Sequence, residues 1–255
     1  MYLDIVELRD FYASDLGRVA RRLLARRLRQ RWPVVAGDVM VGLGFACPYL
    51  DVFAGDGELS ALMPAGQGAA NWPAQPPFKT ALVDEFEMPL ADGSVDRLLI
   101  VHALEVSEAP QALLREAWRV LAPGGRLMIV VSNRRGLWAR VDATPFGFGQ
   151  PFSRVQLTRL LRDAMFSPIA WFGALHIPPF NFQLLLKSAI AWERIGRRLW
   201  PGFSGVIVVE ATKQVFAPIP VGRRRIARQF KPALEPSLGR TSALRGHEKG
   251  PQVSD

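Results

Sequence analysis

The feature that most constrains the fold is a stretch between residues 96 and 131 that changes its periodicity twice. Residues 98–101 and 127–131 are short, continuously apolar runs, which are typical of parallel strands buried on both faces of a sheet. Between them, residues 109–120 carry apolar side chains at 3–4-residue spacing, and Pro123-Gly124-Gly125 follows. This spacing predicts an amphipathic helix that ends at the Pro-Gly-Gly break. A strand, a helix and a second strand in this order predict a βαβ unit with parallel strands.

The same alternation extends over most of the chain. Strands are predicted at residues 38–42, 58–63, 80–83, 96–102, 126–131, 169–173 and 205–212, and helices at 7–31, 48–53, 109–120, 153–164 and 183–199. Segments rich in Gly, Pro and Gln separate them and are predicted to be loops. We therefore expect one α/β domain over residues 1–216.

Basic residues are concentrated in two segments of the chain, whose formal net charge is +9. Seven arginines lie between Arg18 and Arg31 with no acid among them, and residues 217–255 contain eight Lys and Arg. This second segment has no apolar period, so we expect a disordered basic tail. Such charge is found in partners of nucleic acid or of anionic membranes, and also on a merely solvated helix face.

The numbers of cysteines and histidines limit which disulfides and metal sites the chain can form. Cys47 is the only cysteine, which excludes an intrachain disulfide and a cysteine-based zinc site. The three histidines (His102, His176 and His247) are widely separated, so no metal site is predicted. The first residues lack the pattern of a signal peptide, and no apolar run approaches the roughly 20 residues that span a bilayer. We expect a soluble protein of the cytoplasm.

A glycine turn follows the first predicted strand, in the sequence Met40-Val41-Gly42-Leu43-Gly44. Glycines at such a position allow the backbone to approach a ligand closely, and the helix that follows offers amide donors. A tight turn without any ligand explains the pair of glycines almost as well.

Two longer segments carry a more specific signal. The first is Asp84-Glu85-Phe86-Glu87-Met88-Pro89-Leu90-Ala91-Asp92-Gly93-Ser94-Val95-Asp96, and the second runs from Leu113 through Arg119-Val120-Leu121-Ala122-Pro123-Gly124-Gly125 to Leu127. Together they resemble the class I S-adenosylmethionine (SAM) methyltransferases, especially the broad small-molecule group that includes quinone-biosynthesis enzymes. Their order and spacing match that family over residues 34–212.

The resemblance implies a fold and a cofactor. The fold is a Rossmann-like three-layer sandwich with a mostly parallel seven-stranded sheet, in which residues 205–212 form an antiparallel late strand. SAM is the implied cofactor, with Gly42 and Gly44 under its methionine and ribose. Asp84 would face the adenine amino group, aided by the backbone near Glu85, and His102 and Ala103 would border the cofactor. Ligands of open α/β sheets lie beyond the carboxyl ends of the strands, which agrees with this placement.

Three positions differ from the family pattern. Met40 stands where an acid is common, Ala46 replaces the third glycine, and residues 63–67 contain no carboxylate for the ribose. Gln67 is a neutral replacement for that acid. Two functions therefore stay open: methyl transfer from SAM to a small-molecule acceptor, and a non-catalytic binding or regulatory role, with nucleic acid or an anionic membrane contacted through the basic segments.

The resemblance also suggests residues for proton transfer. A base assists methyl transfer to a hydroxyl or an acidic carbon. His102 is the first candidate because imidazole titrates near neutral pH, and Glu105 is the second. The alternative for His102 is a packed residue that transfers no proton.

The loop after the fifth strand is the candidate acceptor site. Arg134 and Arg135 could hold an anionic group, while Trp138, Phe146 and Phe148 would form an apolar wall. The alternative is a fixed surface loop.

Overall fold

A seven-stranded sheet is the centre of the computed structural model, which describes residues 2–33, 37–55 and 57–215. Its strands are β1 (Val39–Gly44), β2 (Glu58–Pro64), β3 (Thr80–Val83), β4 (Val95–Val101), β5 (Leu121–Ser132), β6 (Phe166–Ala174) and β7 (Val206–Lys213). They lie in the order β3-β2-β1-β4-β5-β7-β6, and β7 is antiparallel to both of its neighbours while β1 to β5 pair in parallel. The predicted α/β fold with an antiparallel late strand is confirmed.

Helices cover both faces of the sheet. They are α1 (Ile5–Ala13), α2 (Asp15–Arg31), α3 (Cys47–Leu50), α4 (Pro110–Val120), α5 (Arg154–Asp163), α6 (Gln183–Lys187) and α7 (Ala189–Leu199). Successive residues of β4 alternate between the faces: Leu99 and Val101 pack with α1, α2 and α3, whereas Leu98 and Ile100 pack with α4 and α5. The continuous apolar run of β4 thus arises because both faces are buried.

The structure has two helices, α1 and α2, where a single helix is predicted at residues 7–31, so the prediction of one continuous helix is wrong. Ser14 is extended (φ −68°, ψ 162°), and its side chain accepts from the amide of Gly17 as the N-cap of α2. A Cβ on Gly17 would lie 1.8 Å from the carbonyl oxygen of Phe11, so the bend requires glycine there. Apolar periodicity continues across such a bend, which is why it predicts one helix.

Other predicted boundaries shift for similar reasons. The helix predicted at 183–199 divides at Ser188 into α6 and α7, and the one predicted at 48–53 is α3 followed by a 3₁₀ turn. Strand β5 begins at Leu121, before the Pro-Gly-Gly segment, with a register shift against β4 between Val95 and Arg97. Among the described residues, no helix is both long and apolar enough to cross a bilayer. The tail predicted at 217–255 lies outside the described residues.

A buried carboxylate ties the end of α2 to the sheet. Glu210 on β7 has no exposed side-chain surface. It accepts from the indole nitrogen of Trp32 and from Nη1 of Arg126, both at 2.9 Å, and it also pairs with Arg31. Charge-assisted hydrogen bonds to a buried acid are strong because no water competes for them. Glu210 therefore fixes where α2 lies on the sheet.

We expect the substitution Glu210→Gln to lower the free energy of unfolding by about 2 kcal/mol, because the neutral amide weakens three hydrogen bonds to a buried group. Urea denaturation measures it. Asp15→Asn is the matched control, since the Asp15–Arg18 pair is exposed and such pairs contribute about 0–1 kcal/mol. Equal losses for both variants would contradict the anchoring role of Glu210.

Candidate functional site

The carboxyl ends of β1 and β4 meet at Gly44. This residue has φ +81°, and a Cβ there would lie 2.2 Å from the carbonyl oxygen of Val101. The same oxygen accepts from the amide of Phe45 at 2.9 Å. Gly42 is also crowded, because a Cβ on it would lie 2.7 Å from Cβ of Ala46. Both glycines of the turn are therefore required by packing within the protein itself.

His102 follows β4 in a left-handed conformation (φ +52°) and is buried. Its Nε2 lies 2.8 Å from the hydroxyl of Tyr12, which in turn lies 2.7 Å from the hydroxyl of Tyr49. The ring of Phe146 packs against the imidazole with centroids 4.8 Å apart. Burial lowers the pKa of His102 from 6.5 to about 3, so the ring is neutral at physiological pH.

Glu105 is buried in the turn after β4. Its Oε1 accepts from the amide of Ser132 at 3.3 Å, whereas Oε2 has no hydrogen-bond partner among the described residues. Burial raises the pKa of this carboxyl from 4.5 to about 7, more than the hydrogen bonds lower it. A carboxyl with a pKa near neutrality can either accept or donate a proton.

A small cavity adjoins this carboxyl. It has a volume of about 10 Å³ and is lined by Leu3, His102, Glu105, Val106, Pro145 and Phe148. Its wall is apolar apart from the His102 and Glu105 side chains. Pockets for drug-sized ligands are larger, roughly 300–1,000 Å³. A water molecule needs roughly 10–15 Å³, so the cavity as it stands has no room for a ligand.

The ends of β2 and β3 add further acceptor oxygens. Gln67 is buried, and its Nε2 donates to the carbonyl of His102 at 3.0 Å while its Oε1 has no partner among the described residues. Asp84 is exposed and accepts from the amide of Phe86 at 2.8 Å. Glu85 is buried and accepts from the hydroxyl of Tyr2, and its burial raises its pKa. These strand ends thus carry carboxylate and amide oxygens, of which Gln67 Oε1 has no partner among the described residues.

Helix α1 and the residues before it cover this edge. Tyr2 reaches Glu85 at the end of β3, the amide of Ile5 donates to the carbonyl of Gln67 at 2.9 Å, and Tyr12 reaches His102. The Tyr2 side chain also fills the space beside Gly66, and the Ile5 side chain fills the space beside Gly68. One short segment is therefore bonded to the ends of three strands.

The structure brings only some of the residues predicted for the acceptor site close to His102 and the cavity. Phe146 is buried against His102, and Phe148 lines the cavity. Trp138 is buried behind Phe146, and its indole nitrogen donates to a backbone carbonyl at 2.7 Å, that of Ile177. Arg134 and Arg135 are exposed and do not line this cavity. Their roles, like those of the other site residues, stay predictions.

The tyrosines are the part of the site that the sequence reasoning missed. The chain has three, and all of them lie at this edge: Tyr2, Tyr12 and Tyr49. Tyr12 follows Leu8 by one helical turn, which places both on the buried side of α1. A rare polar aromatic at a core position of a helix is the signal that could have identified it, because a buried hydroxyl needs a partner.

Comparison with known proteins yields a domain and several relatives. A family model described as a methyltransferase domain matches residues 37–129. An uncharacterised protein of Mycobacterium tuberculosis is 28% identical over 138 residues, which cover 51% of this chain and 46% of that protein. The ubiquinone/menaquinone biosynthesis C-methyltransferase UbiE of Rubrivivax gelatinosus is 29% identical over 114 residues, covering 39% and 45% respectively. The chain spans about half the length of the curated relatives it matches.

Solved structures share the fold. A SAM-dependent methyltransferase from Thermotoga maritima has a TM-score of 0.56 and 17% identity, covering 82% of this chain and 96% of that one. The geranyl diphosphate C-methyltransferase of Streptomyces coelicolor, in complex with Mg²⁺, geranyl diphosphate and S-adenosyl-L-homocysteine, has a TM-score of 0.52 and 17% identity, covering 75% and 77%. At these identities the likeness concerns the fold.

We expect Glu105→Gln to stabilise the protein at pH 8 by about 3 kcal/mol and to have little effect at pH 4.5. The unfolded chain releases the Glu105 proton near pH 4.5 and the folded protein near pH 7, so raising the pH between these values favours unfolding of the wild type only. Chemical denaturation at several pH values measures the difference. Glu58→Gln, at the exposed start of β2, controls for loss of a carboxylate. A difference between variant and wild type that does not change with pH would refute the raised pKa.

Proposed function

The chain carries a class I methyltransferase domain within the matching fold, and we propose that it transfers a methyl group from SAM to a small, mainly apolar acceptor. The observation that carries this proposal is that Gln67 Oε1 and Glu105 Oε2, two of the six buried side-chain polar atoms without a hydrogen-bond partner among the described residues, follow the ends of β2 and β4. Unsatisfied buried acceptors are rare in folded proteins and indicate a missing partner.

The chemistry of this edge fits SAM. Its adenine amino group, ribose hydroxyls and ammonium group are hydrogen-bond donors, and its sulfonium is positively charged. Acceptor oxygens at the strand ends are suited to such donors. We propose that Asp84 accepts from the adenine amino group and Gln67 Oε1 from a ribose hydroxyl, while the backbone at Gly42, Gly44 and Ala103 and the side of His102 border the rest. Bound there, SAM supplies an electrophilic methyl group.

Access to this edge requires α1 to move. The residues before α1 bond to Glu85 and Gln67, and α1 itself bonds to His102. The remaining cavity of about 10 Å³ has no room for SAM or an acceptor. We propose that the segment from Tyr2 to Tyr12 swings aside when SAM binds and returns over the bound ligands. Such closure would exclude water from the reacting atoms.

Glu105 is the stronger candidate for the base. Its pKa of about 7 matches neutral pH, and its free Oε2 can take a proton from an acceptor hydroxyl or an acidic carbon. His102 has a pKa of about 3, too low for an effective base, and the Tyr12 hydroxyl occupies its Nε2. We propose that His102 positions Tyr12 and the acceptor rather than transferring a proton.

The acceptor is proposed from the lining of the cavity. Leu3, Val106, Pro145 and Phe148 are apolar, and Glu105 is the ionisable group that faces them together with His102. A small apolar molecule with one acidic O–H or C–H fits such a wall. Two similar proteins support this class: one is a ubiquinone/menaquinone biosynthesis C-methyltransferase and the other a geranyl diphosphate C-methyltransferase.

A non-catalytic role is the second candidate, and the closed position of α1 favours it. In that case SAM would not bind at high micromolar concentration, and labelled methyl groups would not pass from SAM into any fraction of a cell extract. Binding together with such transfer would support the enzyme.

Isothermal titration calorimetry with SAM tests the cofactor site. We expect wild-type protein to bind and Asp84→Asn to bind about tenfold more weakly, because the amide is a poorer acceptor than the carboxylate. Asn keeps the oxygen that accepts from Phe86, so the loop should keep its shape. Glu87→Gln, another exposed carboxylate of the same loop, should bind as wild type. Equal affinity of all three proteins would remove Asp84 from the site.

The substitution Tyr2→Phe tests the movement of α1. Loss of the bond to Glu85 should raise the population of the open state, so we expect SAM to bind up to about tenfold more tightly. Glu7→Gln, on the exposed side of α1, is the control. Weaker binding by Tyr2→Phe would show that the segment holds SAM rather than obstructs it.

A further inference from the structure

Large apolar side chains are unusually exposed between residues 180 and 203. Half of the exposed large apolar residues in the described part of the chain, nine of eighteen, lie there. The most exposed are Leu184 at 84%, Phe182 at 68% and Leu199 at 64%. Exposed apolar patches of this kind mark surfaces that bind a protein or a membrane.

Helix α7 arranges these residues beside arginines. Its buried side is formed by Ala189, Glu193 and Gly196. Ile195 and Leu199 lie one turn apart on an exposed flank, while Arg194, Arg197 and Arg198 are exposed around the rest of the helix. Aliphatic side chains flanked by arginines are the pattern of helices that lie in a lipid interface.

Helix α2 lies beside α6 and α7 and carries a row of arginines. Arg18, Arg22, Arg26 and Arg29 are exposed at helical spacing. Two surface depressions join this row to the neighbouring helices: Arg18 and Arg22 lie beside Lys187 on α6, and Arg26 lies beside Ile190 and Arg194 on α7. We call this combined surface of α2, α6 and α7 the basic-apolar face.

Among the described residues, acids neutralise little of the positive charge of this face. Residues 15–31 and 180–203 contain two acids, Asp15 and Glu193. Asp15 pairs with Arg18, and Glu193 is buried against His176. Burial and, to a smaller extent, the proximity of Arg197 lower the pKa of Arg27. A field of one sign at this density attracts an anionic partner.

We propose that the basic-apolar face binds an anionic lipid bilayer, with Leu184, Ile195 and Leu199 entering the interface and the arginines of α2 and α7 contacting lipid phosphates. The proposal does not depend on the methyltransferase function. Lysine and arginine strengthen attachment to anionic lipid, and the apolar groups add the burial that keeps a helix in the interface.

Two other partners fit the face less well. A second copy of the chain in a twofold arrangement would bring arginine against arginine, because the same patch faces itself in such an interface. Nucleic acid would engage the arginines, but its phosphate backbone offers nothing to exposed Leu184, Phe182 or Leu199. A bilayer satisfies both kinds of side chain.

Vesicle sedimentation of the full chain tests the proposal. We expect retention on vesicles of phosphatidylcholine mixed with phosphatidylserine, at least tenfold more than on phosphatidylcholine alone, and a decrease with added salt. Arg22→Glu with Arg26→Glu, and separately Leu184→Ser with Leu199→Ser, should each lower retention at least fivefold. The matched control is Arg159→Glu with Val155→Ser on α5, where both residues are exposed; it should bind as wild type.

A fluorescent probe locates the contact. Leu199→Cys labelled with an environment-sensitive dye should shift to the blue with anionic vesicles, whereas Val155→Cys should not; the native Cys47 is buried. The proposal would be overturned by equal retention on both vesicle types or by unchanged retention of the arginine and leucine variants. It would also be overturned if the dye at position 199 showed no shift. Retention on duplex DNA that the Leu184 and Leu199 changes leave intact, without vesicle binding, would assign the face to nucleic acid instead.

Discussion

The approach of β1 to β4 at Gly44 is the constraint on which the site depends. A Cβ on residue 44 would lie 2.2 Å from the carbonyl oxygen of Val101, so only glycine fits there. The same oxygen accepts a hydrogen bond from the amide of Phe45. That contact determines where the chain leaves β4. It therefore places His102 under Tyr12 and Glu105 beside the amide of Ser132, so both buried polar groups depend on one glycine.

Burial gives these two groups different chemistry. Burial lowers the pKa of His102 far below its usual value, so the imidazole is neutral at physiological pH. The Glu105 carboxyl titrates near neutral pH, and its Oε2 has no hydrogen-bond partner among the described residues. A site that keeps an unsatisfied carboxylate in its core is expected where function requires one.

Much of the architecture could be predicted from the sequence because β4, α4 and β5 have strong, unambiguous periods. Apolar runs buried on both faces predict parallel βαβ units, whereas the antiparallel late strand is implied only by the family resemblance. The bend at Ser14 could not be predicted in this way, since apolar spacing continues through it and the cause is a contact between Gly17 and Phe11. The glycine turn and the residues after β4 were located by motif, but the bonds of Tyr2 and Tyr12 join positions more than 80 residues apart, which no local pattern reports.

Hydrogen exchange of α1 with and without SAM tests the central claim most directly. The claim is that the strand ends bind SAM and that the segment from Tyr2 to Tyr12 now covers them. If so, saturating SAM should change protection in this segment, beginning with the Ile5 amide that bonds to Gln67, and should protect the loop around Asp84. If SAM binds but hydrogen exchange in both regions stays unchanged, the account is contradicted.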